Sequence, residues 1–245
     1  MLEDKVALIT GASRGIGRGI AACFAKHGAY VGINYKEKEQ AAKNTLTLVR
    51  DSGGEGVLLP GDISVRADVK KIVKTLTDEK KHIDILVNNA GVYFRNSFQD
   101  IPVDDWERVL SVNLTGSYHL TQEVLPVMPD GGRIIFISSQ LAFRGSPHGS
   151  DYASTKAGML GLMRSLALEL ADKQILVNAV APGTIDTDII AHYSPNQRTD
   201  RIKEIPLKRL GTANDIADAC LFLASDLSSY ISGETINVNG GLYIH

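Results

Sequence analysis

Tyr152 and Lys156 stand four residues apart in Tyr152-Ala153-Ser154-Thr155-Lys156, a spacing that puts both side chains on one face of a helix. A free tyrosine has a pKa of about 10, too high for efficient proton exchange near neutrality. A neighbouring ammonium favours the phenolate and lowers that value. The pair is therefore suited to giving a proton to a developing alkoxide, or to taking one from an alcohol. Each residue alone also has a plain structural reading: a tyrosine packed at a helix start and a lysine at the surface.

A second group of residues has the chemistry of an anion cradle. The apolar run 6–10 leads into Gly11-Ala12-Ser13-Arg14-Gly15-Ile16-Gly17. Glycines allow a tight turn and bring backbone N–H groups close to a pyrophosphate, and the helix that follows adds a favourable dipole. A G-x-x-x-G-x-G spacing is weak evidence alone, because turns use glycine for conformational reasons. Its place at a strand–helix junction gives it weight. The second strand ends in Asn34-Tyr35-Lys36, with no acid before Glu37. An acid at that place serves the ribose hydroxyls of NAD and repels a 2′-phosphate. Arg14 and Lys36 can converge on one phosphate, which favours NADP(H); the alternative is two ordinary solvated charges. Asp62, next to Ile63, could accept from an adenine amino group or cap a helix near Ser64.

The elements that must position these groups follow a strand–helix rhythm. Apolar runs at 6–10, 30–34, 56–60, 83–88, 132–138, 175–181 and 235–238 read as strands. Several are apolar at consecutive positions, as strands buried on both faces of a parallel sheet are. Ile16, Ile20, Phe24 and His27 mark one face of a first helix closed by Gly28, and helical patterns cover 37–50, 66–80, 103–125, 152–171 and 213–224. This order predicts one α/β domain over residues 1–245, a Rossmann-type doubly wound parallel sheet of about seven strands with helices on both faces. Residues 184–211 lack a clean period, and an irregular connection of that length is expected to be a substrate lid.

Composition narrows the classes. The 245 residues are 44% hydrophobic, with 26 basic and 28 acidic side chains and a net charge of −2. That balance argues against a nucleic-acid-binding surface. No apolar run is long enough to span a membrane and no leader is evident, so a cytoplasmic protein is expected. Cys23 and Cys220 lie in separate apolar stretches and read as free thiols. No Cys/His cluster has metal-ligand spacing, so no metal is expected.

Further motifs fall after successive strands: Asn88-Asn89-Ala90-Gly91, Ser138-Ser139, the Tyr152/Lys156 segment, and Pro182-Gly183-Thr184-Ile185-Asp186-Thr187. With the closing Asn237-Val238-Asn239-Gly240-Gly241, they resemble the classical short-chain dehydrogenase/reductase family over essentially the whole chain. The resemblance implies a catalytic set of Asn113, Ser139, Tyr152 and Lys156. Ser139 would hydrogen-bond the substrate oxygen, and Asn113 would kink the central helix and hold a water linking Lys156 to solvent. It also implies nucleotide contacts from Gly11, Ser13, Arg14, Gly15, Ile16, Gly17, Asn34, Tyr35, Lys36, Asp62, Ile63, Asn89, Ala90, Gly91, Tyr152, Lys156, Pro182, Gly183, Ile185 and Thr187. Ile185 and Thr187 would hold the nicotinamide amide. Tyr93, Phe143 and His148 are expected to border the cleft, and Trp106 to anchor a helix face. Ala153, Ala157 and Gly161 form a small-residue stripe, and the family's long helix implies a homodimer or homotetramer.

The motifs are most like those of 3-oxoacyl-acyl-carrier-protein reductases, which makes a 3-oxoacyl thioester the first substrate expectation. Carrier-binding members place cations before the fifth strand and after the long helix. Here those positions read Asp130 and Lys173, the latter beside Asp172. A sugar, polyol or other secondary alcohol is therefore the alternative substrate, with a non-catalytic NADP(H) sensor as the reading from another class.

Overall fold

Val6, Ala7, Leu8 and Ile9 are buried at every position, so the strand they form has to be covered on both faces. A computed structural model, describing residues 1–191 and 193–244, shows how. Strands β1 (Val6–Ile9), β2 (Tyr30–Tyr35), β3 (Glu55–Pro60), β4 (Ile85–Asn88), β5 (Arg133–Ile137), β6 (Leu176–Pro182) and β7 (Thr235–Val238) form one seven-stranded sheet. All pairings are parallel, in the order β3-β2-β1-β4-β5-β6-β7. This is the expected doubly wound α/β fold.

Helices α1 (Gly15–Lys26), α2 (Glu39–Asp51) and α9 (Ala213–Ala224) cover one face, where Ile20, Phe24, Ile216 and Cys220 pack on Ala7 and Ile9. Helices α3 (Arg66–Lys80), α5 (Gly116–Val124) and α7 (Ser150–Glu169) cover the other, where Ile72, Leu76, Leu120 and Met159 pack on Val6 and Leu8. Alternation along β1 thus feeds two cores. Gly19 lets α1 lie against α9: a Cβ there would stand 2.8 Å from the Ala213 Cβ. Both cysteines are free, Cys220 buried and Cys23 partly so. Among the described residues no helix is long and apolar enough to cross a membrane.

Three features differ from the sequence reading. The helix expected over 103–125 is α4 (Val103–Val109), a π-helical stretch (Leu110–Thr115) and then α5. The irregular region holds α8 (Pro195–Glu204), whose Ser194 and Gln197 form a reciprocal capping box with proline in the first turn. A short helix α6 (Leu141–Arg144) follows β5. Trp106, on α4, is 36% exposed. The sheet order reverses between β1 and β4, and in such sheets ligands bind at the crevice above the carboxyl ends of the strands there.

Candidate active site

Every candidate residue lies at that carboxyl edge or on a helix leading from it. Gly11 to Gly17 follow β1, Asn34 to Lys36 close β2, and Asp62 and Ile63 follow β3. Asn89, Ala90 and Gly91 follow β4, Ser139 follows β5, and Ile185 and Thr187 follow β6.

The glycine loop is shaped by what it must avoid. Gly11 has φ +61, and a Cβ there would lie 2.9 Å from the Ala90 Cα; at Gly17 it would lie 2.6 Å from the Asn89 amide nitrogen. Thr10, fully buried, accepts from the backbone N–H of Asn89 (2.9 Å) and Ala90 (3.0 Å). Asn89 in turn donates to the Thr10 carbonyl at 2.7 Å. These contacts lock the segments after β1 and β4 together. No side chain caps the start of α1, and its first turn carries no acid. Such an end, with free N–H groups and a positive dipole, fits an anionic pyrophosphate.

The polar residues around the loop are differently engaged. Asn34 is buried and donates to the carbonyls of Leu59 (3.0 Å) and Gly61 (3.1 Å), so its amide braces β2 against β3. Tyr35 is buried as well, and burial raises its pKa. Arg14 and Lys36 meet different acids: Arg14 pairs with Asp188 at 2.7 Å, and Lys36 with Asp62 at 3.1 Å and Glu37 at 3.2 Å. Asp62 also accepts from the Ser64 hydroxyl (2.7 Å) and N–H (3.0 Å), and Arg108 stands 3.4 Å away. Burial raises the Asp62 pKa, but these hydrogen bonds and cations outweigh it and bring it to about 2. Arg108 escaped the sequence reading because nothing in its position on a helix links it to a strand end.

On the catalytic side, Lys156 is buried, and its ammonium donates to the Ile137 carbonyl at 2.7 Å. It stands 5.5 Å from the centre of the Tyr152 ring. Ser138 Oγ donates to the Lys156 carbonyl (2.9 Å), tying α7 to the end of β5. Burial lowers the Lys156 pKa to about 8 and raises that of Tyr152 to about 12, the latter opposed by a hydrogen bond with the Ser139 hydroxyl. Asn113 sits fully buried in the π-helical stretch. Its amide donates to the Val92 carbonyl (3.0 Å) and to Thr155 Oγ1 (3.2 Å), while its oxygen accepts from the Val92 N–H at 2.8 Å. A Cβ at Gly91 would lie 3.2 Å from the Asn113 oxygen and 3.6 Å from the Lys156 nitrogen. Gly91 therefore keeps open the space in front of both.

The cleft walls are aromatic. Tyr93 packs on Tyr152 in a tilted pair with centroids 4.6 Å apart, and Phe143 stacks on Tyr243 at 5.5 Å. Ile185 forms a parallel bridge with Gly211, which fixes both ends of the irregular region. Ala157 and Gly161 are exposed, so that part of the small-residue stripe faces outward.

Known proteins give the same picture. A family model described as enoyl-(acyl carrier protein) reductase matches residues 11–243. The 3-oxoacyl-acyl-carrier-protein reductase FabG of Salmonella typhimurium is 41% identical over 244 residues, 99% of this chain and 98% of that one. FabG of Staphylococcus epidermidis is 39% identical over 243 residues, 98% of this chain and all of its own. A solved short chain dehydrogenase from Burkholderia cenocepacia, in complex with NADP, has a TM-score of 0.93 at 31% identity, with 98% of each chain covered. A full-length match in sequence, the same sheet and the Tyr152, Lys156, Ser139 and Asn113 arrangement lead to one conclusion: the chain belongs to the short-chain dehydrogenase/reductase family of oxidoreductases.

Proposed function

We propose that this protein is an NADP(H)-dependent reductase of 3-oxoacyl thioesters. The reading rests on the meeting of Tyr152, Ser139, Lys156 and Asn113 beside a glycine cradle whose helix end has no side-chain cap. The activity named for the FabG relatives and the NADP held by the Burkholderia protein support the substrate and the nucleotide.

Bound NADPH would supply the hydride. Gly11, Ser13, Gly15, Ile16 and Gly17 would hold its pyrophosphate, Arg14 and Lys36 its 2′-phosphate, and Asp62 and Ile63 its adenine. Asn89, Ala90 and Gly91 would border the adenine ribose, with Pro182, Gly183, Ile185 and Thr187 around the nicotinamide. Ser139 donates a hydrogen bond to the substrate oxygen, which stabilises negative charge as it develops there. Tyr152 gives that oxygen its proton. Lys156 favours the resulting phenolate, and Asn113 holds the water through which the proton is replaced. Residues 184–211 act as the lid, and the enzyme works in the cytoplasm.

The test is NADPH oxidation by purified protein with an acetoacetyl thioester. Tyr152→Phe is expected to lower kcat at least about 100-fold with the NADPH Kd unchanged, because only the proton donor is lost. Turnover near that of the unaltered protein would overturn the assignment. A sugar, polyol or other secondary alcohol is the second reading, favoured by Asp130 at an exposed turn where a carrier protein would meet a cation. Faster NADP⁺ reduction with an aldose or polyol than NADPH oxidation with the thioester would select it.

A further inference from the structure

The family chemistry leaves Tyr93 unused, yet its ring packs directly against that of the proton donor. Tyr93 comes from the loop after β4, and its ring lies 4.6 Å from that of Tyr152, tilted by 34°. Its hydroxyl donates to the His148 carbonyl at 3.0 Å and lies 3.4 Å from Ser146 Oγ. The ring edge rests on Gly149, where a Cβ would come within 2.4 Å of Tyr93 Cε2. Any larger residue at 149 would push the ring away. Gly149 is the N-cap of α7, so Tyr93 is seated one residue before the helix from whose first turn Tyr152 projects. Tyr93 thus joins the loop after β4 to the segment that delivers Tyr152.

We propose that Tyr93 is a positioning residue for Tyr152: its ring fixes the phenol's rotamer and keeps water from that side. The proposal rests on Tyr152 being the proton donor. Aromatic pairs prefer tilted or offset contact at this separation, so the contact restrains orientation as well as position. A reacting group held in one rotamer loses less entropy on the way to the transition state, and small misplacements there are costly. The groups facing the phenol are the Ser139 hydroxyl after β5, the Lys156 ammonium on α7 and Tyr93 itself. The Asp151 carboxylate is directed to the Tyr152 backbone N–H at 2.7 Å. Of these, Tyr93 is the group that packs its ring against the phenol ring. Removing it admits water, and hydration favours the phenolate.

The experiment compares Tyr93→Phe, Tyr93→Leu and Tyr93→Ala with the unaltered protein, using one small thioester and NADPH. Tyr93→Phe keeps the ring and is expected to stay within about threefold in kcat. Tyr93→Leu and Tyr93→Ala are expected to lose about 10- to 100-fold in kcat with the NADPH Kd unchanged. Their alkaline limb in the rate profile should move down by about one pH unit, as a more hydrated phenol requires. A spacer role alone would lower Tm and leave the limb in place. Leu and Ala variants with unaltered kcat and limb overturn the proposal, as does a Phe variant as slow as Ala. Tyr152→Phe, run in parallel, separates the two ideas: if it remains active, the proton-donor assignment fails first.

Discussion

Lys156 is 2% exposed, and the partners of its ammonium are the Ile137 carbonyl and, at 3.6 Å, the Met159 sulfur. Among the described residues no carboxylate pairs with it, so burial dominates and its pKa falls from 10.5 to about 8. Holding the ammonium there therefore costs the folded state stability wherever the lysine is charged. The sign follows from proton counts. Between about 8 and 10.5 the unfolded chain binds the proton that the folded chain releases, so the penalty is full below about pH 8 and fades as pH rises to 10.5. Lys156→Met is therefore expected to be inactive yet more stable near neutrality, with Tm raised by several degrees. Thermal melts of both proteins across this pH range check it; a Tm difference that stays constant with pH would contradict the account. A charge retained at this cost is what a catalytic role would explain and a structural one would not.

The two helix starts that face the crevice show what sequence could and could not reveal. The loop at α1 was legible because its glycines answer local steric demands, at Gly11 against Ala90 and at Gly17 against Asn89. Tyr152 and Lys156 were legible because a four-residue spacing within one helix fixes their common face. The sheet was legible because its central strands are apolar throughout. The π-helical stretch was not, since Asn113 is held there by the Val92 backbone and by Thr155, partners remote in sequence. Helix α8 could have been found from Ser194, Pro195 and Gln197, which carry a capping box. The engagement of Arg14 by Asp188 was also beyond sequence, because 174 residues separate them. Both side chains are about half exposed, so the pair is weak and easily exchanged for a phosphate. Asp188→Asn removes that competitor. It is expected to tighten NADPH binding about two- to fivefold at low salt while leaving NADH unchanged, as read by nucleotide fluorescence titration. An equal gain for both nucleotides would show that Asp188 does not act through Arg14 and the 2′-phosphate.

At the scale of the molecule, the candidate catalytic residues and the position where carrier-binding relatives are expected to carry a cation lie at opposite edges of the sheet. Tyr152 and Ser139 lie at the carboxyl edge of the sheet, whereas Asp130 precedes β5 at the opposite edge. Exposed Phe98, Val103, Tyr118 and Leu168 leave apolar surface on and near helices α4, α5 and α7. Asp130 and Lys173 are neighbours, because the Gly131 N–H donates to the Lys173 carbonyl at 2.9 Å. Both are exposed, so an acidic carrier protein approaching this corner meets an acid next to a base, and Asp172 adds a second acid. Charges at an interface rim act mainly on the rate of encounter, and like charges slow it. Lys173 therefore recovers only part of the attraction that two cations would give. A 3-oxoacyl group on a short thioester is expected to react about as well as the same group on carrier protein, within roughly threefold in kcat/KM. Asp130→Arg is expected to raise kcat/KM for the carrier-bound form alone, by about 3- to 10-fold at low ionic strength, with the gain disappearing as salt shortens the reach of the charge. Kinetics with one acyl group in both forms, at low and high salt, decide the matter. A large, salt-sensitive preference for the carrier-bound form in the unaltered protein would mean that other cations guide the partner and that Asp130 is outside its footprint.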